Sequence, residues 1–133
     1  MAANKVVRSG PVALTTTTTT NLFNPPTLTG GTNPPASSTN SYFVLRHMRI
    51  VNGTNGAIQV ATWLGTTGIN TVAAAFGFGG VAAAGTLTQG VSIPAQSYAD
   101  WYGQVRIDAA DYLVGGASSA GCTITLDGEI GVT

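Results

Sequence analysis

The chain has 133 residues, of which 8% are charged and 44% are hydrophobic, and its formal net charge is zero. Ordinary soluble domains carry about 25% charged residues, so this surface must be built largely from Thr, Ser, Asn and Gly. The composition excludes the highly charged, apolar-poor type of disordered chain. A surface that repels its neighbours weakly suits contact with other proteins over large areas.

Other sequence features exclude further classes. The five basic residues form no tract, which argues against binding nucleic acid. No apolar run reaches the roughly 18 residues of a membrane-spanning helix, and the first 14 residues lack the apolar segment of a signal peptide. Cys122 is the only cysteine, so an internal disulfide is impossible. We therefore expect synthesis in a reducing cytoplasm, with no cofactor, metal or membrane partner.

Residues 1–40 differ from the rest of the chain. The run Thr15–Thr20 is β-branched and favours extended structure, whereas two Pro-Pro pairs follow it and forbid a helix. We predict a flexible arm over 1–10, a strand at a sheet edge over 11–20 and a long loop over 24–40. A disordered linker is the alternative for this region.

The segment "YFVLRHMRIVN" reads as a strand because apolar residues alternate along it. Strict alternation puts Tyr42, Val44, Met48 and Ile50 on one face, and Phe43, Leu45, His47, Arg49 and Val51 on the other. The turn signal "NGTNG" follows, and then "AIQVATWL" reads as a second strand. Together these predict a β-hairpin over 42–64. The glycine-rich stretch 65–85 predicts a loop or a short irregular strand.

Four further strands are predicted in the second half. Val91 and Ile93 mark one that Pro94 ends. In "DWYGQVRIDAADYLVGG", Trp101 begins the apolar face of a half-buried strand, "DAAD" is a turn, and Tyr112 begins the next strand. "GGASSAG" reads as a loop, and "CTITLDGEIGV" alternates with its apolar side inward. These elements predict an all-β, antiparallel β-sandwich or jelly-roll-like single domain over 41–133, with an extended N-terminal arm over 1–40.

Few residues are candidates for chemistry. Asp100 lies on the polar face of its strand, and Asp108 and Asp111 suit a turn that their own side chains cap. His47 is the only histidine, and Cys122 falls on an apolar face, where a cysteine behaves as a small hydrophobe. No nucleophile or metal-binding motif accompanies them. A hydrolase using Asp100, Asp108 or His47 is therefore the least favoured hypothesis, and no catalytic, cofactor or metal residue is predicted.

Large side chains are the better candidates for function, because aromatic residues and arginine dominate protein interfaces. The predicted interface residues are Leu14, Phe23, Trp63, Phe76, Phe78, Trp101, Tyr102 and Arg106.

Two stretches of residues 42–133 carry a resemblance: "YFVLRHMRIVNGTNGAIQVATWLG", and "VSIPAQSYADWYGQVRIDAADYLVGGASSAGCTITLDGEIGV". Their strand and turn pattern resembles small virion proteins of tailed bacteriophages. The resemblance implies a non-enzymatic β-sandwich on the virion, a capsid decoration (cement) protein. Its expected partners are the major capsid protein and further copies of itself, in a homo-oligomer such as a trimer. Alternatives are a receptor- or glycan-binding module of a head or tail fibre, with Trp63 and Trp101 stacking on sugars, or another tail or neck protein.

Overall fold

The computed structural model describes residues 5–18, 20–23, 41–65, 74–83, 86–108 and 111–132. These residues form β-strands and contain no α-helix. The strands are β1 (Lys5–Leu14), β2 (Thr20–Phe23), β3 (Ser41–Asn52), β4 (Ile58–Gly65), β5 (Gly80–Ala83), β6 (Thr86–Ile93), β7 (Ser97–Asp108), β8 (Tyr112–Ala117) and β9 (Cys122–Val132).

The strands form two antiparallel sheets that pack face to face. One is four-stranded, in the order β1-β9-β3-β7, and the other is five-stranded, in the order β2-β8-β4-β6-β5. Without the added edge strand β5, this is the eight-stranded order of a jelly roll, whose two sheets exchange strands through Greek-key connections. The predicted all-β antiparallel sandwich is therefore confirmed.

The predicted hairpin over 42–64 is wrong. β3 pairs with β7 and β9, whereas β4 pairs with β6 and β8 in the opposite sheet. The connection between β3 and β4 crosses from one sheet to the other, and the fully buried Asn52 stabilises it through hydrogen bonds. The Asn52 amide donates to the backbone oxygens of Gly56, Ile93 and Pro94, at 2.8, 3.0 and 3.2 Å. The residues of the predicted turn therefore form a connection between the two sheets.

Strict alternation also fails along β3. Phe43 and Leu45 are fully buried, and so are Met48 and Ile50, although the two pairs have opposite parity. Leu45 and His47 pair with the consecutive residues Gly128 and Asp127 of β9, so β3 has an extra residue there, a β-bulge at Arg46. The register against β7 also shifts at this point, but there the extra residue lies on β7, between Tyr102 and Val105. The extra residue of a bulge turns the following side chains to the other face. The inward face of β3 therefore changes from odd to even positions.

Part of the predicted arm belongs to the sandwich. Residues 5–14 form β1, the edge strand beside β9, so residues 5–10 are not a free arm. Residues 20–23 form β2, which pairs with β8. Between them, Thr15 accepts a hydrogen bond from the backbone N–H of Ala117 at 2.9 Å, and Thr18 is buried. The predicted loop over 24–40 lies outside the described residues.

The second half of the chain follows its predicted pattern more closely. β6 ends before Pro94, the "DAAD" segment links β7 to β8, and β9 buries Cys122, Ile124, Leu126 and Ile130 on one side. One boundary differs. β8 extends through Gly115 and Gly116 to Ala117, where a loop was predicted. Glycine has no side chain, so it lets a neighbouring segment of the backbone approach closely. A Cβ atom on Gly116 would lie 2.7 Å from the Cα atom of Thr18.

The main core lies between the sheets and draws buried apolar residues from both of them. The segment 74–79 closes one side of it beside β4: the Phe76 N–H donates to the Thr62 carbonyl at 3.0 Å, and the Thr62 N–H donates to the Phe78 carbonyl at 2.7 Å. Phe78 is buried in this core. A loop or a short irregular strand was predicted for 65–85, and its described part contains the short strand β5.

Candidate binding surface

The charged residues are distributed very unevenly between the two sheets. All ten lie within the described ranges, and nine of them lie on the strands of the four-stranded sheet. The tenth, Asp111, follows β7 in the turn. The strands of the five-stranded sheet carry no charged residue. The sandwich therefore has one charged side and one uncharged side.

The charged face is the outward side of the four-stranded sheet. We define it by Arg8, Arg46, His47, Arg49, Asp100, Arg106, Asp127 and Glu129. Successive side chains of a strand point to opposite sides of the sheet, so the residues that alternate with these on the same strands fill the core.

His47 lies at the centre of this face, between two carboxylates from neighbouring strands. Its Nε2 atom is 2.8 Å from Oδ1 of Asp100 on β7, and its Nδ1 atom is 3.0 Å from Oδ2 of Asp127 on β9. An ionised carboxylate only accepts hydrogen bonds, so both contacts are hydrogen bonds only when both ring nitrogens carry a proton. The ring of His47 thus lies within hydrogen-bonding distance of a carboxylate on each side.

Arg49 completes the cluster from the other side of Asp100. Its Nε donates to Oδ1 of Asp100 at 2.7 Å, and a second guanidinium nitrogen donates to Oδ2 at 3.0 Å. This two-bond geometry is the strong form of an arginine–carboxylate pair. The hydrogen bonds from Arg49 lower the pKa of Asp100 from 3.8 to about 2, and the hydrogen bond with His47 contributes to the same shift. Asp100 in turn raises the pKa of Arg49.

The pKa of Asp100 predicts an acid-dependent contribution to stability. A lowered pKa in the folded state means that folding favours the ionised carboxyl. The contribution is therefore present above pH 3.8 and is lost as the pH falls through about 2. We expect Asp100→Asn to cost about 1 kcal/mol of unfolding free energy at neutral pH, after allowance for solvent screening. The measurement is urea denaturation at a series of pH values.

The difference in unfolding free energy between the wild type and Asp100→Asn should become smaller as the pH is lowered from about 4 to about 2. The matched control is Asp108→Asn. Its carboxyl is 57% exposed and is bonded to Arg106, so we expect a change within about 0.5 kcal/mol. A gap between wild type and Asp100→Asn that stays constant down to about pH 2 would contradict the lowered pKa.

Aromatic rings stand among the charges of this face. The His47 ring stacks on Tyr102, with ring centroids 4.6 Å apart and an interplanar angle of 18°. The Arg49 guanidinium lies over the Tyr98 ring, 4.4 Å from its centroid. Tyr98 and Tyr102 are nevertheless 56% and 71% exposed. Each of these rings therefore has a charged or polar group on one side and solvent on the other.

The geometry of His47 does not suit general base catalysis, because a base must direct a free nitrogen at its substrate. Both ring nitrogens of His47 face carboxylates instead. Asp108 and Asp111 close a turn, where the Asp111 carboxylate accepts from the Asp108 N–H at 2.9 Å. Burial raises the pKa of the Cys122 thiol. In the described ranges, no group of three or more His, Cys, Asp or Glu side chains could hold a metal ion.

The structure separates the predicted interface residues into three groups. Leu14, Trp63 and Phe78 are buried in the chain's own core, so their side chains are removed as surface candidates. Phe76 and Trp101 are half-buried and contact each other at 5.0 Å between ring centroids. The two that stand exposed together on the four-stranded sheet are Tyr102 and Arg106. The side chain of Phe23 lies outside the described residues.

Sequence reasoning identified Tyr102 and Arg106 but missed their most important neighbours. Tyr98, Asp100 and Tyr102 share one side of β7, and that shared parity was the available signal. The meeting of Asp100 with His47 and Arg49 had no local signal, because β3 and β7 are far apart along the chain.

No helix within the described ranges is long and apolar enough to cross a membrane. In comparisons with known proteins, the chain matches no protein-family model and no curated protein sequence.

Proposed function

We propose that this protein is a non-enzymatic decoration protein of a phage capsid, which docks on the major capsid protein through the uncharged five-stranded sheet. The observation that carries the proposal is the segregation of charge: the five-stranded sheet has no charged residue on any strand. Interface cores are depleted in charged residues because buried charges lose their hydration.

One exposed aromatic group on the outer side of this sheet supports this orientation. Tyr112 on β8 is 38% exposed and lies on the opposite side of the sheet from Leu64 and Leu113, whose side chains face the main core. Such groups gain when a partner removes them from water, at about 25 cal/mol per Å² of apolar surface. The uncharged sheet thus offers a surface that a capsid lattice could cover without breaking ion pairs.

The rest of the proposal comes from the resemblance to small virion proteins and from the physics of assembly. A jelly roll is a rigid scaffold that occurs in viral capsid domains. Many copies bound to one lattice, or joined in a trimer, add weak contacts into a stable coat. The protein would be made in the host cytoplasm and would act on the capsid surface, without binding nucleic acid or membrane.

The test uses heads purified from a phage that lacks the gene for this chain, to which the purified protein is added. Saturable binding in co-sedimentation is expected. We predict that a Tyr112→Asp variant binds at least tenfold more weakly, because the new charge loses its hydration in the interface.

The matched control is Tyr102→Asp, which places a charge on an exposed tyrosine of the opposite sheet and should bind like the wild type. Circular dichroism checks that each variant folds. No binding of the wild type to heads would overturn the proposal, and equal loss in both variants would overturn the assignment of the five-stranded sheet. Separating heads from tails before mass spectrometry of whole virions distinguishes a decoration protein from a tail or neck protein.

A further inference from the structure

We infer that the charged face binds a neutral polysaccharide, which lies along β7 and stacks on the rings of Tyr98 and Tyr102. The inference concerns the sheet opposite the proposed capsid contact. It does not rest on the proposed function, because it follows from the chemistry of this face alone.

Both tyrosine rings are open to solvent on one side and held in place on the other. Tyr102 is 71% exposed and Tyr98 is 56% exposed, although each has a partner on one side. The partner of Tyr102 is His47, and the partner of Tyr98 is Arg49. Those two partners are themselves fixed by Asp100. Rings ordered before binding lose little conformational entropy when a ligand stacks on their open faces.

The spacing of the two rings favours an extended ligand. Tyr98 and Tyr102 lie four residues apart on one strand and share its outward side. At about 3.3 Å per residue, their backbone positions are about 13 Å apart. A single small molecule cannot stack on both rings at that distance, whereas an extended chain of sugar rings can. The two tyrosines therefore favour a polymer over a monosaccharide.

Three arginines of this face are already paired with carboxylates of the same chain. Arg46 lies 3.2 Å from Glu129, Arg49 lies 2.7 Å from Asp100, and Arg106 bonds Asp108. A strongly charged ligand would have to compete with these pairs. A neutral ligand can add hydrogen bonds to the same groups without separating them. The pairing thus favours a neutral partner.

The surface around the two rings combines apolar and polar groups. Each ring offers an apolar surface, and Gln104, Arg46 and Asp127 present exposed or half-exposed polar groups nearby on the same sheet. A sugar has a matching pattern, with C–H groups on its ring faces and hydroxyl groups around its rim. The face is an open sheet surface, which suits a long carbohydrate chain.

The experiment measures retention of the full chain on insoluble chitin and cellulose and on cross-linked dextran, together with binding to an array of neutral oligosaccharides. We expect binding to at least one of these probes. Tyr98→Ala and Tyr102→Ala should each weaken it by up to about tenfold, the effect of removing one aromatic stacking partner. The double variant should show no detectable binding.

The matched control is Tyr112→Ala, which removes an exposed tyrosine from the five-stranded sheet and should leave carbohydrate binding unchanged. A parallel assay with alginate tests an anionic polysaccharide and should show no preference for it. Three results would overturn the inference: no binding to any neutral probe, equal loss in the Tyr112 variant, or salt-sensitive binding to alginate alone. Head binding by the same variants is a separate readout, so failure of one proposal is distinguishable from failure of the other.

Discussion

Replacing Phe43 with alanine is expected to lower the unfolding free energy by about 3–5 kcal/mol, the usual cost of deleting a large aromatic side chain from a core. Phe43 is fully buried between the sheets. Gly128 leaves the space for its ring, because a Cβ atom on Gly128 would lie 2.6 Å from the Cζ atom of Phe43. The measurement is equilibrium denaturation in urea.

This prediction also tests the bulge in β3. With strict alternation, Phe43 and Met48 would face opposite sides, and only one of them could be in the core. With the bulge at Arg46, alanine should be strongly destabilising at both positions, by about 2–5 kcal/mol for Met48. The matched control is Val51→Ala on the same strand, which is 42% exposed and should change stability by about 0.5 kcal/mol or less. A small effect at either buried position would contradict the bulge.

The second large effect is expected at Asn52, where alanine should cost about 3 kcal/mol. The Asn52 amide supplies hydrogen bonds to three backbone oxygens, and its Oδ1 accepts from the N–H of Thr54 at 3.0 Å and from the Thr54 hydroxyl at 2.7 Å. A buried carbonyl left without its donor costs about 1–3 kcal/mol, and alanine removes every one of these bonds. Thermal and urea denaturation both measure the loss.

Two further variants make the Asn52 prediction specific. Asn52→Asp keeps the size of the side chain but directs a carboxylate oxygen at three carbonyl oxygens, so it should be at least as destabilising as alanine. Asn55→Ala changes an exposed asparagine in the same connection and should cost about 0.5 kcal/mol or less. If all three variants were equally stable, Asn52 would not be the residue that fastens the connection between the sheets.

The strands that alternate without interruption were predictable from the sequence. β9 is the clearest example, since Cys122, Ile124, Leu126 and Ile130 are all inward as expected. β7 is nearly as clear, with Ile107 buried and Tyr102 exposed. In both strands the local period of two determines which side chains face the core, and no information from distant residues is needed.

The pairing of strands was not predictable in the same way. "NGTNG" has the composition of a hairpin turn, but composition does not state which strand lies next to which. β3 finds two long partners in β7 and β9, and the bonds made by Asn52 stabilise the crossing to the other sheet. The bulge at Arg46 has a similar origin, because it follows from the register of β3 with β9. These features depend on residues far away along the chain.

The candidate site was also predictable only in part. Tyr102 and Arg106 were predicted as surface residues from the polar face of their strand. The cluster around His47 could not be predicted, because its two carboxylates lie 53 and 80 residues away in the sequence. Trp63 was predicted as an interface residue. It points away from the main core, as its parity indicates, but it is fully buried in a second cluster with Ala61, Leu87 and Val114.

The pairing of β1 with β9 has a consequence for the synthesis of the protein. β9 lies between β1 and β3, so these two strands cannot join into one sheet until residues 122–132 have left the ribosome. Until then β1 and β3 lack the strand that joins them, and exposed strand edges favour aggregation. Folding of the sandwich must therefore finish after translation of β9. Nascent chains stalled before residue 122 should remain sensitive to protease, whereas released chains should become resistant.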